Sequence, residues 1–181
     1  MQRRIFVGIN LPSQVKKRLA EKIKKWNDLP IKWIKEDNFH ITLSFLGYLE
    51  DEDLSRICTS VREATENIES FDIELNKIEL GPTKGKDARL VWFSGKASEE
   101  LKKLQEEIEK SFGSFNIDKK EFHPHVTLGR IRKNKWQILD SFPEVEENFR
   151  ISLPVDSVSI FDSRSEETAG EFIEIESCPL K

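Results

Sequence analysis

Asn38-Phe39-His40-Ile41-Thr42-Leu43-Ser44-Phe45 alternates residue by residue. On an extended strand Phe39, Ile41, Leu43 and Phe45 fall on one side, and Asn38, His40, Thr42 and Ser44 on the other. One side can bury in a core while the other aims an imidazole and a hydroxyl, two residues apart, at the same point. Taken alone, such a stretch is most simply a half-buried strand that carries a histidine. The device occurs twice, however: His125-Val126-Thr127-Leu128 repeats His40-Ile41-Thr42-Leu43.

Outward from the first motif, residues 4–11 read as an opening strand, and Pro12-Ser13 as a helix entry. Val15, Leu19, Ile23 and Trp26 recur at helical spacing among lysines, the pattern of an amphipathic helix. Residues 32–34 suit a short extended piece before the His40 strand, which closes at Gly47. A second helix is expected over 51–69 and a strand over 71–80, broken by the basic loop 81–86. The order then restarts: a strand at 89–94, a helix capped by Ser98 with Leu101, Leu104, Ile108 and Phe112 inward, and the His125 strand. A short helical or irregular segment follows near Trp136. Residues 149–153, 155–161 and 172–175 are strand-like, and the charged tract 162–171 reads as a solvated hairpin loop.

The separations match, 40 − 7 = 33 from Val7 to His40 and 125 − 92 = 33 from Trp92 to His125. This predicts a single domain over 1–181 with an internal duplication, its lobes roughly 1–80 and 81–181. The fold class is α+β: two pseudo-symmetric lobes, each an antiparallel sheet with packed helices, around a cleft carrying both His-x-Thr-x strands.

The bulk composition limits the function classes. With 34% charged and 37% hydrophobic residues, 181 residues suffice for a sizeable core. No apolar run approaches the ~18 residues of a membrane span, and the N-terminal residues lack a signal-peptide pattern, so a cytoplasmic protein is expected. A net charge of −4 argues against coating nucleic acid by bulk electrostatics, though not against a local basic cleft for one phosphate terminus. Cys58 and Cys178 form no metal spacing and are expected to be reduced and structural.

Two histidines facing one cleft suit general acid–base catalysis, because an unperturbed pKa of about 6.5 lets one ring be neutral and the other protonated. Thr42 and Thr127, on the faces of their histidines, are placed to donate hydrogen bonds to the oxygens of a phosphate held between the rings. In this setting the two motifs resemble the paired His-x-Thr-x signatures of the 2H phosphoesterase superfamily. Residues 4–12, 39–47 and 124–130 are similar to the opening strand and two signature strands of its 2′-5′ RNA ligase-like RNA 2′,3′-cyclic phosphodiesterases.

That resemblance implies hydrolysis of a terminal 2′,3′-cyclic phosphate on RNA to a 2′-phosphate, with the P–O3′ bond cut. It implies His40 as proton donor to the leaving oxygen, His125 as proton acceptor from water, and Thr42 and Thr127 as phosphate ligands, with no metal or other cofactor. A ribose 5′-hydroxyl in place of water would give 2′-5′ ligation. A monomer acting on RNA ends, away from membranes, is the resulting expectation. The rival readings are an RNA-end-binding module without turnover and a phosphodiesterase for small cyclic nucleotides.

Other residues weigh less. Arg130 follows the second motif, where the family also has a basic residue, and is either a phosphate contact or a structural ion pair; strict alternation turns it away from His125, so the phosphate contact needs a bulge or strand end near Gly129. His123 shares the His125 face, which would allow a three-histidine metal site, yet threonine is a poor metal ligand and no carboxylate repeats with the motif, so a solvated or supporting role is expected. Phe6, Trp33, Trp92 and Phe122 are candidate base-stacking residues whose simpler reading is core packing. Trp26 and Trp136 are assigned to packing. Arg89, Lys84 and Lys86 would add positive potential or form an exposed basic loop.

Overall fold

In the computed structural model, which describes residues 2–113, 115, 121–163 and 172–181, the described strands join one sheet. They are β1 (Arg3–Asn10), β2 (Ile31–Trp33), β3 (His40–Leu49), β4 (Phe71–Gly81), β5 (Leu90–Ser94), β6 (His125–Ile131), β7 (Glu146–Val155), β8 (Ser157–Ser163) and β9 (Phe172–Pro179). The helices are α1 (Ser13–Ile23), α2 (Asp51–Thr65), α3 (Glu99–Ser111) and the single turn α4 (Lys133–Trp136). Among the described residues no helix is long and apolar enough to cross a membrane. Most of the tract 162–171, read as a hairpin loop, lies outside the described residues.

The strand order is β7-β4-β5-β6-β3-β1-β8-β9, with β2 beside β6, and the pairings are antiparallel. The α+β expectation holds. The two motif strands, β3 and β6, are central neighbours joined at one ladder position, Ile41 opposite Val126. On either side of this seam stand three further strands: β5, β4 and β7 beyond β6, and β1, β8 and β9 beyond β3.

These halves are not the lobes expected at 1–80 and 81–181. Strand β4 belongs beside β5, and β8 returns to pair with β1, with β9 beyond it. Sequence order cannot reveal this exchange, because each hairpin-like pairing is satisfied equally well on either side of the seam.

The helices form because their apolar residues recur on one stripe, and the stripes are buried. Leu19, Ile57, Val61, Leu101, Leu104 and Ile108 join Ile5, Val7, Ile41 and Val126 in one core cluster. Each fully buried Leu, Ile or Val contributes roughly 1.5–3 kcal/mol relative to exposure. Ser98 caps α3 as expected, its Oγ accepting the Leu101 N–H at 3.2 Å. The basic loop is tied down by Trp136, whose buried ring donates its N–H to the Gly85 carbonyl at 2.9 Å.

The local feature that matters most is a bulge used twice. Opposite β1, Val7 pairs with Ser44 and Gly8 with Thr42, leaving Leu43 extra; opposite β5, Val91 pairs with Gly129 and Trp92 with Thr127, leaving Leu128 extra. In each motif the leucine after the threonine is the added residue, and beyond it the alternation changes phase. Ser44 therefore turns inward, 4% exposed, and Phe45 turns out, 51% exposed. This reverses the sides that strict alternation assigned to them. Gly129, the partner of Ser44 in the repeat, is equally constrained: a Cβ there would lie 2.6 Å from the Ile31 side chain and 2.9 Å from the Trp33 ring.

The bulges also correct the spacing argument. Trp92 stands opposite Thr127 as Gly8 stands opposite Thr42, so the structural counterpart of Trp92 is Gly8, one residue from Val7. Val7 is wholly buried and corresponds to Val91, likewise wholly buried.

Candidate active site

Ile41 and Val126 stand directly opposite each other and both enter the core. Directly opposed residues share a face. Their neighbours His40, Thr42, His125 and Thr127 therefore emerge together on the other face, close enough that the His125 charge is felt at His40. All four are partly exposed. One cross-strand pair thus makes two distant tetrapeptides into one four-residue cluster.

Both imidazoles are held in the same way. His40 Nδ1–H donates to the carbonyl oxygen of Asn38 at 2.7 Å, and His125 Nδ1–H to that of His123 at 2.7 Å. A carbonyl only accepts, so each neutral ring must carry its proton on Nδ1 and keep the lone pair on Nε2. His40 Nε2 lies 3.1 Å from Thr42 Oγ1, which donates to it in the neutral state. Aromatic rings fix the planes: Phe6 lies 4.8 Å from the His40 ring and Phe172 meets its edge at 4.9 Å. Trp92 lies 4.6 Å from the His125 ring.

The electrostatics favour neutral rings. The His40 pKa is lowered to about 4, first by burial and then by the charges of Lys16, His125 and Arg130, against the raising effect of the Asn38 carbonyl. The His125 pKa is also lowered, mainly by burial, with the His123 carbonyl opposing and the His123 charge adding to the fall. His40 thus meets more positive charge than His125.

Arg130 reaches this face because of the bulge at Leu128. The phase change after Thr127 returns the side chain to the side of the histidines, and its charge is felt at His40. Lys32 of β2 pairs directly with Arg130 and shares its face. Lys16 approaches from α1, its Nζ donating to the Asp37 carbonyl at 2.6 Å, with its own pKa lowered chiefly by burial. Sequence reading missed Lys16 and Lys32. Lys16 lies on the polar side of a helix of many lysines, and Lys32 is located only by the β2–β6 pairing.

The remaining candidates separate. Phe6 is 1% exposed and supports His40 from beneath, so it has no free face for a base. Trp33, Trp92 and Phe122 are half-buried. His123 supplies its carbonyl to His125 and packs its ring 5.2 Å from Trp92. Among the described residues no group of three or more His, Cys, Asp or Glu side chains is gathered as a metal would require. Lys84 is paired with Glu79 at 3.2 Å and with Glu146 at 3.8 Å, while Lys86 and Arg89 are exposed. Cys58 and Cys178 are free thiols pushed up to about 11, first by burial, and stay protonated near neutrality.

Comparison with known proteins places the chain in a family. The family model described as the 2′-5′ RNA ligase superfamily matches residues 11–167. An RNA 2′,3′-cyclic phosphodiesterase of Thermotoga maritima is 31% identical over 170 residues, covering 88% of this chain and 86% of its own. One from Bacillus subtilis is 27% identical over 161 residues, covering 86% and 85%. Among solved structures, TT0787 of Thermus thermophilus superposes with a TM-score of 0.82 at 22% identity, covering 98% of this chain and 97% of its own. Escherichia coli LigT complexed with 3′-AMP gives 0.79 at 18% identity, covering 100% and 99%. At these identities the two structures speak for the fold.

Proposed function

The chain belongs to the 2′-5′ RNA ligase superfamily, and from that premise we propose that it hydrolyses the 2′,3′-cyclic phosphate at an RNA 3′ end to a 2′-phosphate. The observation that carries the reading is the cluster of His40, Thr42, His125 and Thr127 on one face, with Arg130 returned to it. The phosphodiesterase activity in the names of the Thermotoga and Bacillus relatives agrees with it.

In this mechanism the cyclic phosphate lies between the rings, its non-bridging oxygens accepting from Thr42, Thr127 and Arg130. His125 Nε2 takes a proton from water as the water oxygen attacks phosphorus. His40, protonated on both nitrogens, gives its Nε2 proton to O3′ as the P–O3′ bond breaks. The phosphate stays on O2′. His40 is left neutral and His125 charged, and exchange with solvent restores the starting state. With a ribose 5′-hydroxyl replacing water, the same proton transfers join two RNA ends by a 2′-5′ bond.

The lowered pKa values set the pH dependence. A proton donor must be charged, yet burial and nearby cations disfavour the imidazolium of His40. An anionic phosphate between the rings favours it, so binding raises both histidine pKa values. The kcat/KM profile, which reports the free enzyme, will be a bell whose maximum lies below pH 6.5. The kcat profile, which reports the complex, will be displaced to higher pH. A kcat maximum at or below that of kcat/KM contradicts the scheme.

The function itself is tested with an RNA oligonucleotide ending in a 2′,3′-cyclic phosphate, incubated in EDTA, with the position of the product phosphate determined. A 2′-phosphate is expected. A 3′-phosphate would reverse the leaving-group assignment, and absence of turnover would leave an RNA-binding module as the better reading.

A further inference from the structure

The repeat places an aromatic residue where the other half places Arg130. Phe45 follows His40 by five residues, as Arg130 follows His125, and each lies two residues beyond the bulge leucine. Phe45 therefore stands on the histidine face. It is 51% exposed, and its ring lies 5.7 Å from that of the buried Phe6, which braces it. A second bulge follows at once: Phe6 pairs with Phe45 but Ile5 with Gly47, leaving Leu46 extra and buried. The phase changes again, and Tyr48, 69% exposed, pairs with Arg4 on the face that carries Phe6 and Phe45.

The geometry points to the strip of Phe45, Tyr48 and Arg4 as the track for the nucleotides that precede the cyclic phosphate in single-stranded RNA, a step that rests on the function proposed above. Three observations carry it. The strip continues the face of Thr42 along β3, so a chain whose terminus is held between the histidines meets Phe45 next. Phe6-to-Arg4 is two strand residues, roughly 7 Å, wider than the ~3.4 Å step of stacked bases, so the two rings would receive successive unstacked bases, as single-strand readers do. The chain carries a net charge of −4, so its hold on RNA has to come from local stacking and a few placed cations such as exposed Arg4 rather than from its overall field.

The test compares kcat/KM for a 2′,3′-cyclic mononucleotide with that for oligonucleotides of two, three, four and eight residues ending in the same cyclic nucleotide. For the unmodified chain kcat/KM should rise over the first two or three added nucleotides and then level off. Phe45→Ala and Tyr48→Ala should each lower the ratio of oligonucleotide to mononucleotide kcat/KM about tenfold, through KM, as expected for loss of one base stack. Phe45→Trp should keep the ratio high. A ratio that is flat with length, or unchanged in both alanine variants, overturns the track. So does a shift in sedimentation on Phe45→Ala, which would make the strip a contact between copies of the chain. If the unmodified chain turns over no cyclic phosphate, the proposed function fails first. The track is then read from anisotropy of a 5′-labelled octanucleotide, where binding that the alanine variants do not weaken overturns it.

Discussion

His40→Ala and His125→Ala will each lower kcat/KM on a cyclic-phosphate RNA by roughly 10²–10⁴-fold, the range for loss of one general acid or base. Neither change should unfold the chain. The core side of both strands is held by Ile41 and Val126, and the histidines stand on the opposite face. The double variant should lose much less than the product of the two single losses, because both groups act in one transition state. Circular dichroism and thermal unfolding separate this from misfolding. A histidine variant that retains activity within tenfold would sink the paired scheme.

The two-fold character of the site makes acid and base look alike, since both rings donate Nδ1–H to a carbonyl two residues earlier. A substrate with a different leaving group tells them apart. An aryl phosphodiester releases a phenolate that needs no proton, so His40→Ala should recover much of its loss on such a substrate, whereas His125→Ala should not. Recovery in His125→Ala alone would exchange the roles.

Much of the site was legible because its chemistry lies in two short repeats whose alternation is regular from the histidine to the threonine. That His40 shares a face with Thr42, and His125 with Thr127, follows from period two, while their candidacy as one site rests on the repetition and on the Ile41–Val126 pairing. Legibility stops at the next residue. Nothing in Leu43 or Leu128 announces a bulge, because an inserted strand residue keeps the same side-chain chemistry and changes only what comes after it. Ser44 and Phe45 were consequently assigned to the wrong faces, and Ser44 Oγ is buried with no hydrogen-bond partner among the described residues. Lobe composition was unreadable for a different reason. The apolar sides of β4, β8 and β9 fit either half, and only the completed sheet decides. Lys16 and Lys32 had no local signature, because their proximity to the site depends on α1 and on the β2–β6 pairing.

Arg130 turns the second bulge into a measurable effect. If its guanidinium holds the phosphate, Arg130→Met removes a charged donor from the place where negative charge accumulates, and kcat/KM should fall about 10²-fold. Arg130→Lys should recover only part, since an ammonium keeps the charge but not the planar two-point contact. The same substitution has a second consequence, independent of substrate. Arg130 is one of the cations that disfavour the His40 imidazolium, after burial and the charges of Lys16 and His125. Removing it should therefore raise the His40 pKa from about 4, visible as an upward shift of the ring Cε1–H titration by NMR. The His125 titration should move less, because Arg130 is not among the groups that depress it. A guanidinium that merely stabilises the sheet would lower the melting temperature without selectively moving His40. Loss of activity together with an upward His40 shift and little change at His125 places the charge in the cleft, where the extra leucine of the second motif turns it.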